Sequence, residues 1–365
     1  MSLHIPLVFG TFAILLGSCG VRALAQPASP PAAKEPQPFW IVQAEQIEPK
    51  LREWQKRHPG LVALERQPTH GGRVAYAVTL TDTRVEDAGK KKLLFSQPHA
   101  HEPATTAGMM DFMSQVLEGQ TLIGQPTSLV RDKLLREMVL TFIPNGNPDG
   151  RARAPVEWWD GTQFSNDAFL KFAFGRAKDG SRMPRVGRWS TRELQPEWIG
   201  IAYEQLNDHE YVEPNRDLAS TYFVLVRRML GKYEYDAHVD LHQTEFENSP
   251  YNAMMLLPFM QRELPEPVRK ANEQLAAAVV EAWGRAGYRP MPESKPLGYA
   301  EDQIRYFRTC WTDLYRARPT VTVEIQNNNR RTPPRDQLRL IEVAIRASIE
   351  HVSHAPHETK ATVSP

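Results

Sequence analysis

The chain has 365 residues, of which 41% are hydrophobic and 24% are charged, and its formal net charge is +1. This length fits one large α/β domain or two small ones, and the composition is that of an ordinary globular protein. A net charge this close to zero gives no strong positive potential that would attract nucleic acid, so we expect no nucleic-acid partner. It also shows no acidic bias of the kind found in disordered, highly solvated proteins.

The N-terminus is typical of an export signal. Residues 5–16 are almost entirely apolar, which suits the central segment of a signal peptide and is too short for a confident membrane span. Small residues then allow cleavage after Ala25. We therefore predict a signal peptide over residues 1–25 and a Pro- and Ala-rich linker over 26–38, although the start of the chain lacks the usual Lys or Arg.

A second interpretation of the leader overlaps the first. Residues 16–19, Leu-Gly-Ser-Cys, resemble a bacterial lipoprotein box, which would place a lipid on Cys19 and make it the only membrane contact. Either interpretation predicts an exported protein, periplasmic or secreted, and we expect a monomer. Cys310 would then be alone in the mature chain, so no internal disulfide is expected and the fold must depend on its core.

Helices and strands alternate along the rest of the chain. In chain order, apolar periodicity and turn residues predict helices at 44–57, from 103 onward, and at 129–137, 218–230, 267–286 and 335–352, and strands at 61–67, 73–80, 92–96, 138–143, 238–241, 253–257 and 320–325.

This alternation predicts an α/β fold with a sheet covered by helices on both faces. The turn signal at His70-Gly71-Gly72 joins the first two strands as a hairpin, so the sheet should be mixed. Residues 151–214 show little periodicity, and we interpret them as an irregular excursion with a short helix or two. We predict one domain over residues 39–355 and a polar tail over 356–365.

Three short segments carry side chains suited to metal chemistry, and each is associated with a predicted strand. His99 and Glu102 follow one strand, His242 ends another, and Glu324 lies near the end of a third. Because sites in α/β sheets gather beyond the carboxyl ends of strands, we expect these side chains to converge.

The residue types suit a catalytic zinc ion, which takes three nitrogen or oxygen ligands and keeps one position for water. His99 and Glu102 are three residues apart, which puts both side chains on one side of a helical turn, and His242 would complete the set. Zinc lowers the pKa of its water, and Glu324 is the candidate to accept the proton. We interpret the neighbouring His101 as a supporting or surface side chain, and we interpret His238 in the same way.

Five ordered motifs resemble those of the zinc carboxypeptidases of the carboxypeptidase A type. The resemblance covers about residues 99–326 and consists of His99-Ala-His-Glu102, Asn147-Pro148-Asp149-Gly150, Asn215-Arg216-Asp217, Asp240-Leu241-His242 and the strand ending at Glu324.

The resemblance implies a three-layer α/β/α sandwich around a mixed, mostly parallel eight-stranded sheet. It implies one zinc ion per chain, held by His99, Glu102 and His242, with Glu324 as general base and later proton donor. Asn215 and Arg216 would bind the C-terminal carboxylate of a peptide substrate, a role that suits the planar guanidinium of Arg.

The residues at 147–150 are typical of a turn, and we expect the motif to have a structural role. We expect Asp149 to support a metal ligand through a hydrogen bond. The whole pattern implies an exported metallocarboxypeptidase that hydrolyses the last peptide bond.

The sequence departs from the family pattern between Gly150 and Asn215. The 64 residues from 151 to 214 replace a much shorter connection in pancreatic-type enzymes, and the family's oxyanion-stabilising Arg lies in that connection. Arg153, Arg188 and Arg192 compete for this role, and we favour Arg188.

Two further departures lie near the C-terminal end of the resemblance. The family has a mobile Tyr that covers the bound substrate; Tyr299 and Tyr306 lie in the right region, and we favour Tyr299 because it follows Gly298. The family often has Arg two places beyond the catalytic Glu, where this chain has Gln326. The residues that select the substrate side chain cannot be aligned, so the sequence does not predict specificity.

Two alternative functions share the same scaffold. The first is a zinc amidohydrolase that acts on cell-wall peptides or on N-acyl amino acids. The second is a metal-binding relative without catalysis, and the presence of Glu324 counts against it because degenerate relatives usually lose the general base.

Overall fold

The computed structural model describes residues 39–355 except 186 and 246. The expected signal peptide, the lipid site at Cys19, the linker and the polar tail lie outside these described residues. Within them, no helix combines the length and the apolar character needed to cross a membrane.

The strands lie in three sheets. In chain order they are β1 (Val62–Pro68), β2 (Val74–Leu80), β3 (Lys91–Ser96), β4 (Met138–Ile143), β5 (Arg176–Ala177), β6 (Arg188–Ser190), β7 (Pro196–Trp198), β8 (Glu204–Gln205), β9 (Glu210–Val212), β10 (Ala237–Thr244), β11 (Ala253–Leu257), β12 (Lys295–Pro296) and β13 (Thr320–Gln326).

The helices of the described part are α1 (Ala44–Arg57), α2 (Pro103–Glu118), α3 (Arg131–Glu137), α4 (Pro148–Ala152), α5 (Asn166–Phe174), α6 (Thr191–Leu194), α7 (Thr221–Lys232), α8 (Glu266–Arg285), α9 (Glu301–Ala317) and α10 (Pro334–His354). Several begin where the sequence offers a cap. Helix α7, for example, begins after Ser220, whose side chain accepts a hydrogen bond from the backbone N–H of Phe223.

The main sheet has eight strands in the order β1-β2-β4-β3-β10-β13-β11-β12. Strands β4, β3, β10 and β13 are mutually parallel, β11 and β12 pair in parallel, and the remaining neighbours are antiparallel. The predicted fold class, a mixed and mostly parallel eight-stranded sheet in an α/β domain, is confirmed. The parallel strands are almost continuously buried, as expected where helices cover both faces.

Two apolar cores lie on opposite faces of this sheet. Helices α1, α2, α8 and α10 contribute to the larger core, and α7 and α9 contribute to the smaller one. Cys310 is partly buried against the smaller core. The sequence predicts no element between residues 286 and 320, yet α9 is there. Its buried face, which includes Phe307, Trp311 and Leu314, has the spacing of an amphipathic helix.

The excursion after Gly150 is more ordered than the sequence predicts. It contains helices α5 and α6, a two-stranded sheet of β5 and β7, and a three-stranded sheet of β6, β9 and β8. Two small apolar clusters hold it together, one around Trp159 and Phe169 and one around Trp189 and Tyr203. Aromatic side chains thus provide a core for a segment that has little apolar periodicity.

Gly108 marks a close crossing of helices α2 and α10. A Cβ atom at this position would lie 2.4 Å from Cγ2 of Ile341, whereas a Cβ at Gly231, on the exposed side of α7, would meet nothing within 4 Å. We predict that Gly108→Ala lowers the free energy of unfolding by about 1–3 kcal/mol, because a packed core resists added volume. We predict that Gly231→Ala raises it by up to about 1 kcal/mol through helix propensity.

Chemical denaturation of the two variants beside the parent protein measures both effects. If Gly108→Ala were as stable as Gly231→Ala, the close helix crossing would be contradicted.

Candidate metal centre and active site

The candidate site lies at the carboxyl ends of the parallel strands. His99 is in the turn after β3, Glu102 immediately precedes α2, His242 is on β10 and Glu324 is on β13. His242 and Glu324 are paired residues in the parallel ladder of β10 and β13. The turn is closed by the backbone N–H of Glu102, which donates to the carbonyl of His99. Strand pairing therefore brings His242 and Glu324 together with the His99–Glu102 turn, which is far from both in sequence.

Three of these side chains converge on one point. His99 Nδ1 lies 2.9 Å from Glu102 Oε1, and His242 Nδ1 lies 3.1 Å from His99 Nδ1 and 3.0 Å from Glu102 Oε2. Tetrahedral zinc with bonds of about 2.0–2.1 Å places its ligand atoms about 3.3 Å apart, which is close to these separations. All three residues are buried, and Glu102 Oε2 has no hydrogen-bond partner in the described part of the chain. The donor set and geometry therefore fit a zinc ion.

Carboxylates lie behind both histidines. His242 Nε2 lies 2.7 Å from Asp240 Oδ2, and His99 Nε2 lies 3.4 Å from Glu213 Oε1. A carboxylate at Nε2 favours the tautomer that is protonated there, which leaves the lone pair of Nδ1 facing the centre. The longer contact of His99 does not have hydrogen-bond geometry in the structure, so Glu213 orients this ring more loosely than Asp240 orients the other.

Without a cation the cluster is electrostatically incomplete. Burial alone would raise the pKa of Glu102, but His99 and His242 together lower it. Burial alone would lower the pKa of His242, but Asp240 and Glu102 raise it well above its ordinary value. The groups therefore favour a positive charge among them, which either protons or a metal ion can supply.

His101 is a fourth neighbour of the cluster. It forms a compact group of potential metal donors with His99 and Glu102, and its Nε2 lies 3.4 Å from Glu102 Oε1. We nevertheless favour His242 as the third ligand, because its Nδ1 is closer to both partners and its ring is oriented by a carboxylate. The ring of His101 instead stacks on His99 and contacts Phe174 edge-on, which is a packing environment.

Glu324 faces the same cavity with an uncommitted carboxyl group. Its Oε2 has no hydrogen-bond partner among the described residues. Burial raises the pKa of Glu324 to about 8, with His242 opposing the rise and Glu102 adding to it. A carboxyl group that is close to the metal donors and not held by a fixed partner can exchange protons with a bound molecule.

The cavity has a volume of about 180 Å³ and extends from the metal donors to an apolar end. Asn215 and Arg216, which the sequence predicts to bind the substrate carboxylate, and Tyr299, which it predicts to cover the bound substrate, all line the cavity. The apolar end is formed mainly by Met254, Leu256, Leu257, Phe259, Leu297, Phe307, Trp311 and Tyr315.

Arg216 is held in place from several sides. Its Nη1 donates to Asn215 Oδ1 at 2.9 Å, its Nη2 donates to Gln303 Oε1 at 3.3 Å, and it pairs with the carboxylate of Glu213. The guanidinium also lies over the ring of Phe307 at 4.9 Å.

Tyr299 stacks on the same Phe307 ring, with centroids 3.9 Å apart, so it reaches the cavity from the loop before α9. Tyr306 does not line the cavity.

Arg188 is not brought into the cavity. It lies on β6 with 42% of its side chain exposed, and it pairs with Glu210 and Asp217 at the surface. Arg185, three residues earlier, lines the cavity instead, pairs with Glu213 at 2.6 Å and lies over the ring of Phe174. The irregular loop turns Arg185 inward and the edge strand turns Arg188 outward, and neither direction follows from a sequence pattern.

The other two arginines considered for this role also lie elsewhere. Arg153 donates to the backbone carbonyls of Gly200 and Tyr203, and Arg192 is exposed at the surface.

Besides Arg185, sequence reasoning missed Glu213 as a residue of the candidate site. It is fully buried and contacts His99, Arg185 and Arg216. Burial would raise its pKa, but the two guanidinium groups lower it well below the ordinary value. Its position two residues before Asn215 was the available signal.

Asp149 does not support a metal ligand, contrary to the sequence-based expectation. Its Oδ2 accepts a hydrogen bond from the backbone N–H of Gly71 at 2.8 Å and its Oδ1 lies 3.4 Å from Arg73, so it fixes the hairpin between β1 and β2. The motif at 147–150 forms the start of α4, where Asn147 accepts from the N–H of Gly150. The motif therefore has a structural role, as predicted, but Asp149 supports the hairpin between β1 and β2 and not a metal ligand.

Several solved structures have a similar fold. The chain is similar to a metallo-carboxypeptidase from Burkholderia cenocepacia (TM-score 0.55, 18% identity, covering 84% of this chain and 68% of that one). It is also similar to a carboxypeptidase A from Helicoverpa armigera (TM-score 0.54, 14% identity, 88% and 76%) and to bovine thrombin-activatable fibrinolysis inhibitor (TM-score 0.53, 13% identity, 86% and 98%). At these identities the likeness concerns the fold alone.

A comparison with curated proteins gave no match. The family model described as zinc carboxypeptidase matches residues 47–288, which include both histidines and the glutamate of the candidate metal centre. The match spans well over half of the chain, and this protein therefore belongs to the zinc carboxypeptidase family.

Proposed function

We propose that this protein is an exported zinc metallocarboxypeptidase that hydrolyses the C-terminal peptide bond of peptides. The observation that carries the proposal is that one cavity contains the His-His-Glu donor set, an uncommitted glutamate and an arginine poised for a carboxylate. Export rests on the sequence of residues 1–25 alone.

His99, Glu102 and His242 are the proposed zinc ligands. A bound zinc ion supplies Lewis acidity, which lowers the pKa of water and polarises a carbonyl oxygen. The three side chains leave the remaining side of the site open toward the cavity that also contains Glu324.

Glu324 is the proposed general base. Its carboxylate takes the proton from the attacking water and later delivers it to the leaving amine, so one residue serves both halves of the reaction. Its lack of a fixed partner among the described residues leaves it able to exchange protons in both directions.

Arg216 and Asn215 are proposed to bind the free carboxylate of the substrate. Glu213 carries one negative charge, and the two guanidinium groups beside it carry two positive charges, so this group retains a net positive charge that suits a carboxylate ligand. Binding the terminal carboxylate here positions the last peptide bond near the metal donors, which restricts cleavage to the end of the chain. Tyr299, on the adjacent loop, covers the bound residue.

Arg185 replaces Arg188 as the proposed stabiliser of the oxyanion. It lines the cavity with 37% of its side chain exposed, and a fixed cationic donor at the scissile carbonyl stabilises the charge that develops there.

The apolar end of the cavity predicts the preferred C-terminal residue. The acidic residues of the cavity lining are Glu102, Asp240 and Glu324 at the candidate metal centre and Glu245, which interacts electrostatically with Glu102 and Arg185, and most of the remaining lining is apolar. Burial of an unpaired charge is costly, whereas an apolar side chain is stabilised by burial. The proposed substrates are therefore peptides that end in an aliphatic or aromatic residue.

The proposed function predicts C-terminal ladders from a mixed peptide pool. Peptides ending in Phe or Leu should be shortened by the purified mature protein, and peptides ending in Lys or Asp should react at least about 100-fold more slowly. Mass spectrometry of the pool with and without a chelator measures both effects. Zinc-loaded protein that leaves every peptide intact would contradict the proposal and favour cell-wall peptides or N-acyl amino acids as substrates.

The variant Glu324→Gln is the matched control for that experiment. It should retain zinc, because Glu324 is not a proposed ligand, and it should lose about 10²–10⁴-fold in kcat/KM with the loss of general-base catalysis.

The two arginines give a further prediction. Arg185→Ala should lower kcat/KM by about 10²–10³-fold, because one oxyanion donor is lost, with zinc content unchanged. Arg188→Ala should stay within about twofold of the parent enzyme, because its partners lie at the surface. Steady-state kinetics on one peptide ending in Phe measures both. The reverse order of effects would show that Arg188 enters the site.

A further inference from the structure

A chain of buried hydrogen bonds lies behind His242; its first member, Asp240, lines the cavity, whereas Ser96, Tyr222 and His238 do not. Asp240 Oδ2 lies 2.7 Å from His242 Nε2, while Asp240 Oδ1 lies 2.7 Å from Ser96 Oγ and 2.9 Å from Tyr222 Oη. Ser96 Oγ also lies 2.7 Å from His238 Nε2. All five side chains are at most 5% exposed. We call Ser96, Tyr222 and His238, together with Asp240, the Asp240 network.

The hydrogen bonds of the Asp240 network can each be given a donor and an acceptor. Asp240 as a carboxylate accepts from Ser96, from Tyr222 and from His242 Nε2–H. His238 Nδ1 has no partner among the described residues, and a buried N–H without an acceptor is unfavourable, so the proton of a neutral His238 is assigned to Nε2. His238 then donates to Ser96 Oγ, which leaves the Ser96 hydrogen for Asp240. Ser96 Oγ also lies 2.9 Å from Tyr222 Oη.

The Asp240 carboxylate favours the tautomer of His242 that carries its proton on Nε2. With its proton on Nε2, His242 presents the lone pair of Nδ1 to His99 and Glu102, which is the form a metal requires. An Asp240 carboxylate that lost its other donors would be less firmly placed, since two of its three hydrogen bonds come from Ser96 and Tyr222.

Strand pairing and helix packing place these residues. Ser96 is the last residue of β3 and pairs with Asp240 in the parallel ladder, Tyr222 reaches in from α7, and His238 lies on the same strand as His242. His238 also stacks on Trp311, whose indole N–H donates to the backbone carbonyl of Asn215. The network thus lies between the metal donors and the proposed carboxylate-binding residues.

We propose that Ser96, Tyr222 and His238 are positioning residues that act through Asp240 to hold His242 in its metal-binding orientation. Their loss weakens zinc binding although none of them touches the ion or the substrate. This proposal rests on the proposed function only in taking zinc as the metal.

The test measures the zinc dissociation constant by competition with a chelator. Partners that orient a metal ligand through hydrogen bonds typically contribute 10–100-fold to metal affinity. We expect Tyr222→Phe to weaken zinc binding about 10-fold. Ser96→Ala should have a larger effect of about 10–100-fold, because it also leaves the His238 N–H without an acceptor.

The chain offers matched controls that lose the same groups elsewhere. Tyr235 donates its buried hydroxyl to Thr141 at 2.7 Å, and Ser348 donates to the carbonyl of Ala344 at 2.8 Å, both away from the cavity. Tyr235→Phe and Ser348→Ala should leave the zinc dissociation constant within about twofold of the parent value, since neither reaches His242. Thermal unfolding of the metal-free proteins checks that each variant and its control remain folded.

The cobalt-substituted proteins give a second readout that a general loss of stability would not change. The visible absorption of Co²⁺ depends on ligand geometry, so its bands should shift in Ser96→Ala and Tyr222→Phe and remain unchanged in the two controls. Zinc affinities that match those of the controls, with unchanged cobalt bands, would overturn the proposal.

Failure of the proposed function is distinguishable from failure of this inference. A parent protein that binds zinc and hydrolyses no peptide leaves the affinity measurements decisive for the network. A parent protein that binds no zinc overturns both.

Discussion

The parallel pairing of β3, β10 and β13 is the constraint on which the site depends. Parallel neighbours end at the same edge of a sheet, so Ser96 faces Asp240 and His242 faces Glu324 before any metal binds. The His99 turn continues directly from β3, and Glu102 is fixed where α2 begins. The metal donors and the proposed base are therefore positioned by backbone hydrogen bonds, which are far stiffer than the side chains themselves.

Buried carboxylates then orient the two histidine rings of the candidate metal centre. Asp240 and Glu213 lie behind His242 and His99, and each has further partners that hold it in its ionised form. Glu213 connects the candidate metal centre to Arg185 and Arg216. The residue that lies behind His99, a proposed zinc ligand, therefore also orients two groups that are proposed to bind the substrate. Isolated buried charges would be strongly unfavourable, and this arrangement is tolerated because each charge has a partner.

The sequence predicts this architecture well where local patterns determine it. Apolar strands, turn residues and the spacing of His99 and Glu102 are short-range signals, and the fold class follows from their order. Asn215 and Arg216 belong to a motif that resembles the family and reach the cavity, and Tyr299, which was favoured over Tyr306 because it follows Gly298, reaches it as well. Prediction fails where the direction of a side chain depends on a long irregular loop, which is why Arg188 was favoured and Arg185 lines the cavity. The role of Glu213 and the partner of Asp149 depend on tertiary contacts that have no periodic signature.

The central claim is that His99, Glu102 and His242 hold the metal while the adjacent His101 does not. It is tested most directly by the zinc content of His242→Ala and His101→Ala after equal dialysis against metal-free buffer, determined by elemental analysis. The account predicts that His101→Ala retains close to one zinc per chain and that His242→Ala retains almost none. Zinc that persists in His242→Ala but disappears from His101→Ala would contradict the ligand set and the site built around it.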